Sequence, residues 1–194
     1  MVTHGIPFLP VVMSIGGRVP PLERVVLGSR RGSGADMTLL VGRHVNKIDK
    51  KGRVSVPKAF RASFVDEGFQ GVYVYPSIRF QAIEACGEAY FRSLTQRLDD
   101  SLAMYSPEQD DLLIAILDNA HAVPFDPEGR VVIPQELLDW AEIKGEARFV
   151  GRVNFFQIWQ PEAHEEHRHR GLDAARSRNI TLPPRRSSPG EGEP

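Results

Sequence analysis

A nine-residue pattern, Asp-x-x-Gly-Arg-Val-x-[Val/Ile]-Pro, occurs twice in this 194-residue chain and constrains its fold more than any other feature. The first copy runs from Val45 to Phe60 and carries Asp49, Gly52, Arg53, Val54, Val56 and Pro57. The second runs from Val123 to Leu137 and carries Asp126, Gly129, Arg130, Val131, Ile133 and Pro134. A unit repeated within one chain signals one supersecondary element used twice. Each copy is followed by an aromatic segment closing near a proline, Gly71 to Pro76 and Asn154 to Pro161. The unit therefore reads as strand, tight turn, strand, short helix, strand.

The turn chemistry explains the spacing. An aspartate opens a type I turn by accepting hydrogen bonds from backbone N–H groups just ahead of it, and a glycine closes it in the left-handed region. Beyond the glycine the pattern alternates, so Arg53 and Ser55 face one way and Val54 and Val56 the other. Pro57 and Pro134 end the strands and suit the start of a helix, where a missing N–H costs nothing.

Between the copies, Ile83 to Ala120 reads as helical. Phe91, Leu94, Leu98 and Leu102 recur at helical spacing, as do Leu112, Leu113, Ile116 and Leu117. Ser106-Pro107-Glu108 restarts the helix, with serine at the cap and proline behind it. An antiparallel helix pair between two β units is expected.

Composition narrows the functional classes. Lys plus Arg is 24 and Asp plus Glu is 25, so the net charge of −1 marks no partner by itself. Hydrophobic residues at 41% supply a modest core. The single Cys86 excludes an internal disulfide framework and a cysteine-based zinc finger, and fits a reducing, cytoplasmic setting. No run approaches the ~20 apolar residues that span a bilayer, so no membrane partner is expected. The apolar start is interrupted by Pro7 and Pro10 and has no Lys or Arg before it, unlike a signal peptide. Residues 1–36 lack periodicity; they read either as a disordered leader or as sequence upstream of a start at Met37. From about His164 the chain turns polar, its first part extending a helix and its Pro/Ser/Gly/Glu end reading as disordered.

With these residues in place, the chain resembles the MraZ family, bacterial regulators built from two SpoVT-AbrB-type swapped-hairpin units. The resemblance rests on the paired motifs, on Arg61 after Pro57-Lys-Ala-Phe, and on the Gln-Ile-Trp-x-Pro closing strand, and runs from about Leu39 to about His169. It implies an α+β, β-rich fold of two fused units with a small β-barrel core and helices between them. The corresponding divisions are a leader (1–38), a first unit (39–90), a helical linker (91–119), a second unit (120–163) and a polar tail (164–194). It also implies ring-like homo-oligomers, a cytoplasmic, nucleoid-associated location, and binding to tandem short repeats in double-stranded DNA upstream of cell-division and cell-wall genes. Two departures stand out. The leader is foreign to the family, and the first unit has only Arg61 to Gln70 before Gly71, which reads as a trimmed strand.

Charge separates the copies. Across residues 43–61, Arg43, Lys47, Lys50, Lys51, Arg53, Lys58 and Arg61 stand against Asp49 alone, a net of +6. Across residues 124–142, Arg130 stands against Asp126, Glu128, Glu136, Asp139 and Glu142, a net of −4. Clustered cations gain affinity for a duplex by releasing its counterions, so these seven basic residues are the candidate DNA-binding set. Asp49, Gly52, Pro57, Asp126, Gly129, Arg130 and Pro134 are the candidate turn-forming residues. Arg130, amid acids, reads as an ion-pair partner that holds its turn, whereas Arg53 reads as a DNA contact.

The remaining features point away from other chemistry. His164 and His167 are three apart rather than the four of a zinc-protease helix, so the His164, His167, His169 group reads as solvated and no metal or cofactor is expected. The arginines from Arg168 to Arg186 read as a solvated tail. No phosphate-binding glycine loop or nucleophile elbow is present, Asp99-Asp100 and Asp110-Asp111 read as solvated helix faces, and neither catalysis nor a small-molecule substrate is expected. The alternative class is an AbrB-like oligomeric interaction or antitoxin-type module.

Overall fold

A computed structural model describes residues 39–101 and 106–179. The expectations for residues 1–38, Leu102 and residues 180–194 lie outside the described residues. The first copy supplies β1 (Arg43–Lys47), β2 (Arg53–Ser55), α1 (Lys58–Arg61), a 3₁₀ turn at Ala62–Phe64, β3 (Gly71–Pro76) and β4 (Ile83–Cys86). Next come α2 (Glu88–Ser101) and α3 (Pro107–Leu113), the latter continuing as a π turn through Ile114–Asp118. The second copy supplies β5 (His121–Pro124), β6 (Arg130–Val132), α4 (Gln135–Trp140), β7 (Glu146–Gly151) and β8 (Phe156–Trp159), and α5 (Pro161–Ser177) closes the order.

The fold is α+β and its sheets are antiparallel. Six strands form one sheet in the order β1-β7-β8-β4-β3-β5, and β2 and β6 form a separate two-stranded ribbon. The expected small β-barrel core is not found: β1 and β5 are edge strands that do not pair with each other, so the described residues form an open sheet and no closed barrel. Within each copy the last two strands pair, β3 with β4 and β7 with β8, and every other ladder joins the two copies. The first strand of each crosses to the third strand of the other, β1 to β7 and β5 to β3. The second strands pair as β2 with β6, and the closing strands as β4 with β8. The repeat thus generates an internal pseudo-two-fold.

Packing explains the crossing. Val54, Val56, Phe60, Phe64, Val72, Val74 and Ile83 share one buried cluster with Val131, Ile133, Leu137, Phe149, Phe156 and Ile158. Each such side chain contributes roughly 1.5–3 kcal/mol when fully buried, and neither copy covers its own. The helices add a second cluster in which Phe91, Leu94 and Leu98 meet Leu112, Leu113, Ile116 and Leu117 over Tyr73 and Tyr75. The Tyr73 and Phe91 rings stack with centroids 4.6 Å apart. Ser106 caps α3, its side chain accepting from the Gln109 N–H at 3.1 Å. Pro57 and Pro134 sit one residue earlier than a first-turn position, as extended N-cap residues of α1 and α4.

Two further expectations are corrected. Ile83–Cys86, taken with the helical stretch, is the strand β4, and Glu88 opens the helix behind Gly87. The first unit is not trimmed: β3 corresponds to β7 and β4 to β8, so both units have two strands after the short helix. Gly71–Pro76 is thus the counterpart of Glu146–Gly151, and the strand near Trp159 has its counterpart in the four-residue Ile83–Cys86.

Candidate nucleic-acid interface

The two turns are built alike. In the first, Asp49 Oδ1 accepts from the backbone N–H of Lys51 at 2.8 Å and of Arg53 at 3.0 Å, while the Asp49 carbonyl accepts from Gly52 N–H at 3.0 Å. In the second, Asp126 Oδ1 accepts from Glu128 N–H at 3.0 Å and Arg130 N–H at 2.8 Å, and its carbonyl from Gly129 N–H at 2.8 Å. Gly52 at φ +75° and Gly129 at φ +74° close them in the left-handed region. The arginines reach back in the same way, Arg53 Nε donating to Asp49 Oδ2 at 2.6 Å and Arg130 Nε to Asp126 Oδ2 at 2.7 Å. Both carboxyls are held below the ordinary carboxylate range, first by the arginine's backbone N–H and also by its guanidinium. The ion-pair role expected of Arg130 therefore belongs to Arg53 as well.

The turns differ in what surrounds them. Lys47, Lys50, Lys51 and Lys58 are exposed and form no ion pair among the described residues. At the second turn, Arg130 is bound additionally by Glu128 at 2.9 Å. The backbone cross-links are reciprocal: Ile133 N–H donates to the Gly52 carbonyl at 2.9 Å and Val56 N–H to the Gly129 carbonyl at 3.1 Å.

The structure divides the seven candidate basic residues. Lys47, Lys50, Lys51 and Arg53 flank the first turn, whereas Lys58 opens α1 at the other end of the ribbon, two residues beyond Val56, whose N–H reaches the Gly129 carbonyl of the second turn. Arg43, at the far end of β1, approaches Glu165 of α5 at 3.8 Å. Arg61 leaves the group entirely. It lies against Gly129, and its Nη1 donates to the Glu128 carbonyl at 3.3 Å. Leu138, its counterpart in the repeat, lies against Gly52. Sequence spacing could not reveal this, because Arg61 crosses to the other copy's turn.

The histidine reading changes too. His164 is buried, set edge-on to Trp159, with its Nδ1 3.4 Å from Arg148 Nη1. Burial, reinforced by Arg148, lowers its pKa to about 4, so it is an uncharged packing group rather than a solvated one. His167 stacks on the same indole at 5.2 Å. The missed signal was the repeat itself: Trp159 needs a cover, and α5 supplies it. Glu165, pulled to about 2 by Arg168 and Arg148, ties α5 to β7. Cys86 is buried and its thiol is pushed up to about 12 by that burial. Among the described residues no His/Cys/Asp/Glu group could hold a metal, and no helix is long and apolar enough to cross a membrane.

Fold and site define a protein of two cross-paired copies of one hairpin unit, one turn flanked by lysines that form no ion pair among the described residues and the other by acids. A family model described as "MraZ protein, putative antitoxin-like" matches residues 116–179. Proteins named Transcriptional regulator MraZ from Rickettsia canadensis and Rickettsia akari are each 41% identical over 146 residues, covering 75% of this chain and 97% of theirs. The protein of that name from Rickettsia typhi is 38% identical over the same length. The chain belongs to the MraZ family.

Proposed function

We propose that this chain is a non-catalytic transcriptional regulator that binds double-stranded DNA through its first hairpin. The observation that carries the reading is the set of exposed lysines at the first turn, Lys47, Lys50 and Lys51, which form no ion pair among the described residues, while the twin turn is acidic. Phosphates reward unpaired cations, because a lysine already neutralised by a carboxylate releases no counterion. The names of the relatives support the regulatory role.

In this reading Lys47, Lys50, Lys51 and Lys58 make phosphate contacts, Arg53 faces the bases, and Arg43 and Arg61 serve the scaffold. In the same reading the units at 39–90 and 120–163, joined through 91–119, are swapped hairpins, a proposal that the crossed pairing of β1 with β7 and β5 with β3 supports. Several small interfaces linked in a homo-oligomeric ring would raise the effective concentration at tandem repeats. Targets upstream of cell-division and cell-wall genes, and a place on the nucleoid in the cytoplasm, belong to the same proposal. The antitoxin-like wording of the matched family favours a second reading, an interaction module that requires a partner protein.

Binding of the full chain to random and genomic duplexes at several salt concentrations tests both. Binding without any added protein, and stronger to tandem than to single sites, supports the regulator. No duplex binding at low salt overturns it.

A further inference from the structure

The ribbon brings one residue of the acidic copy to the basic end. In its register Arg53 stands opposite Val132, Val54 opposite Val131, and Ser55 opposite Arg130. Directly opposed residues of an antiparallel pair project to the same side. Val54 and Val131 are buried in the core, so Arg53, Val132, Ser55 and Arg130 share the outer face. Because the strands run in opposite directions, Val132 lies beside Arg53 at the basic turn, while Arg130 lies beside Ser55.

Val132 is 54% exposed. Its counterpart in the first copy is Ser55, so the ribbon backbone does not demand a valine, and Val131 already does the packing on this strand. The major groove admits a two-stranded ribbon, where arginine pairs with the O6/N7 edge of guanine and an apolar side chain meets the thymine methyl. The end of the ribbon that a duplex would approach is set by charge: Arg53 is held by Asp49 alone and flanked by Lys50 and Lys51, whereas Arg130 is held by both Asp126 and Glu128.

We propose that Val132 is a specificity-determining residue that reads a thymine methyl group in the major groove, next to the base pair faced by Arg53. The inference rests on the DNA-binding reading above and deepens it, since the acidic copy then supplies part of the base-reading surface.

The test uses the full chain and a duplex selected by it from a random-sequence library. Each thymine of that duplex is replaced in turn by deoxyuridine, which removes only the methyl. Wild type should lose about fourfold in affinity at one position per bound repeat, the worth of one buried methyl group. Val132→Ala and Val132→Ser should bind more weakly and become indifferent to the replacement at that position, with unchanged circular dichroism and an unchanged salt slope. A selected site without thymine, a wild type indifferent at every position, or a Val132→Ala protein that keeps the methyl sensitivity overturns the inference. Failure to select any duplex overturns the DNA-binding reading and this inference with it.

Discussion

The hairpin around Asp49 and the hairpin around Asp126 share a backbone, a glycine conformation and an arginine–aspartate clasp, yet present opposite charge to solvent. Their difference lies in the residues the turn does not need. Positions 50 and 51 are lysines in one copy; Pro127 and Glu128 fill them in the other. Beneath the turns the difference is reciprocal: the acidic turn rests on Arg61 and the basic turn on Leu138. A duplicated unit can thus keep one geometry and divide two tasks, because turn formation uses the aspartate, glycine and arginine and leaves the neighbouring positions free to vary.

The largest expected effect separates the glycines. A Cβ at Gly52 would collide with the Ile133 carbonyl, which the ribbon holds in place, whereas at Gly129 it would meet the Arg61 guanidinium, the end of a flexible side chain. Gly52→Ala should cost about 2–4 kcal/mol and Gly129→Ala about 1–2 kcal/mol, read by urea unfolding. Equal losses would show that Arg61 is as rigid as backbone.

Charge comes next. Lys50→Ala and Lys51→Ala should each reduce the slope of log affinity against log salt by about 0.9, and the double variant by about twice that. Glu128→Ala should leave the slope no smaller. A slope that falls equally for Arg130→Ala would mean that both hairpins touch phosphate, and would end the division of labour.

Acid titration tests what the turns have in common. Each aspartate has a lowered pKa in the folded chain, so the stability it contributes is complete above its unfolded pKa and is lost as pH falls through the folded one. Thermal melting should therefore decline from about pH 5 downward. Asp49→Asn and Asp126→Asn should each flatten that decline by a similar amount. Unequal flattening would break the equivalence of the clasps.

The smallest effect concerns the crossing arginine. Arg61→Leu places in the first copy the residue its twin already has, and loses one long hydrogen bond to a carbonyl. Stability should change by less than about 1 kcal/mol. The salt slope should stay at the wild-type value, and a fall of about 0.9 would return Arg61 to the phosphate-binding set.

Much of this was legible from residues close together in the chain. The Asp49 and Asp126 turns, the Ser106 cap and the helical spacing of Leu94 and Leu98 all form where their local patterns place them. Each depends on partners within about four positions, for which sequence spacing is a direct measure of distance. The strand Ile83–Cys86 escaped because four residues carry too little periodicity to outvote the helix that follows. His164 was misread because its polar neighbours describe the exposed side of α5, not the side that covers Trp159.

By itself, then, the sequence determined the two turns and their opposite charges. Only the tertiary structure decided which strand meets which. The crossings of β1 to β7 and β5 to β3 join segments about a hundred and about fifty residues apart, and they follow from burying both valine faces against one cluster. The pairing of β2 with β6 carries Arg61 beneath the far turn and sets Val132 beside Arg53. Neither placement leaves a mark on local spacing, because each is fixed by the antiparallel register of strands from different copies.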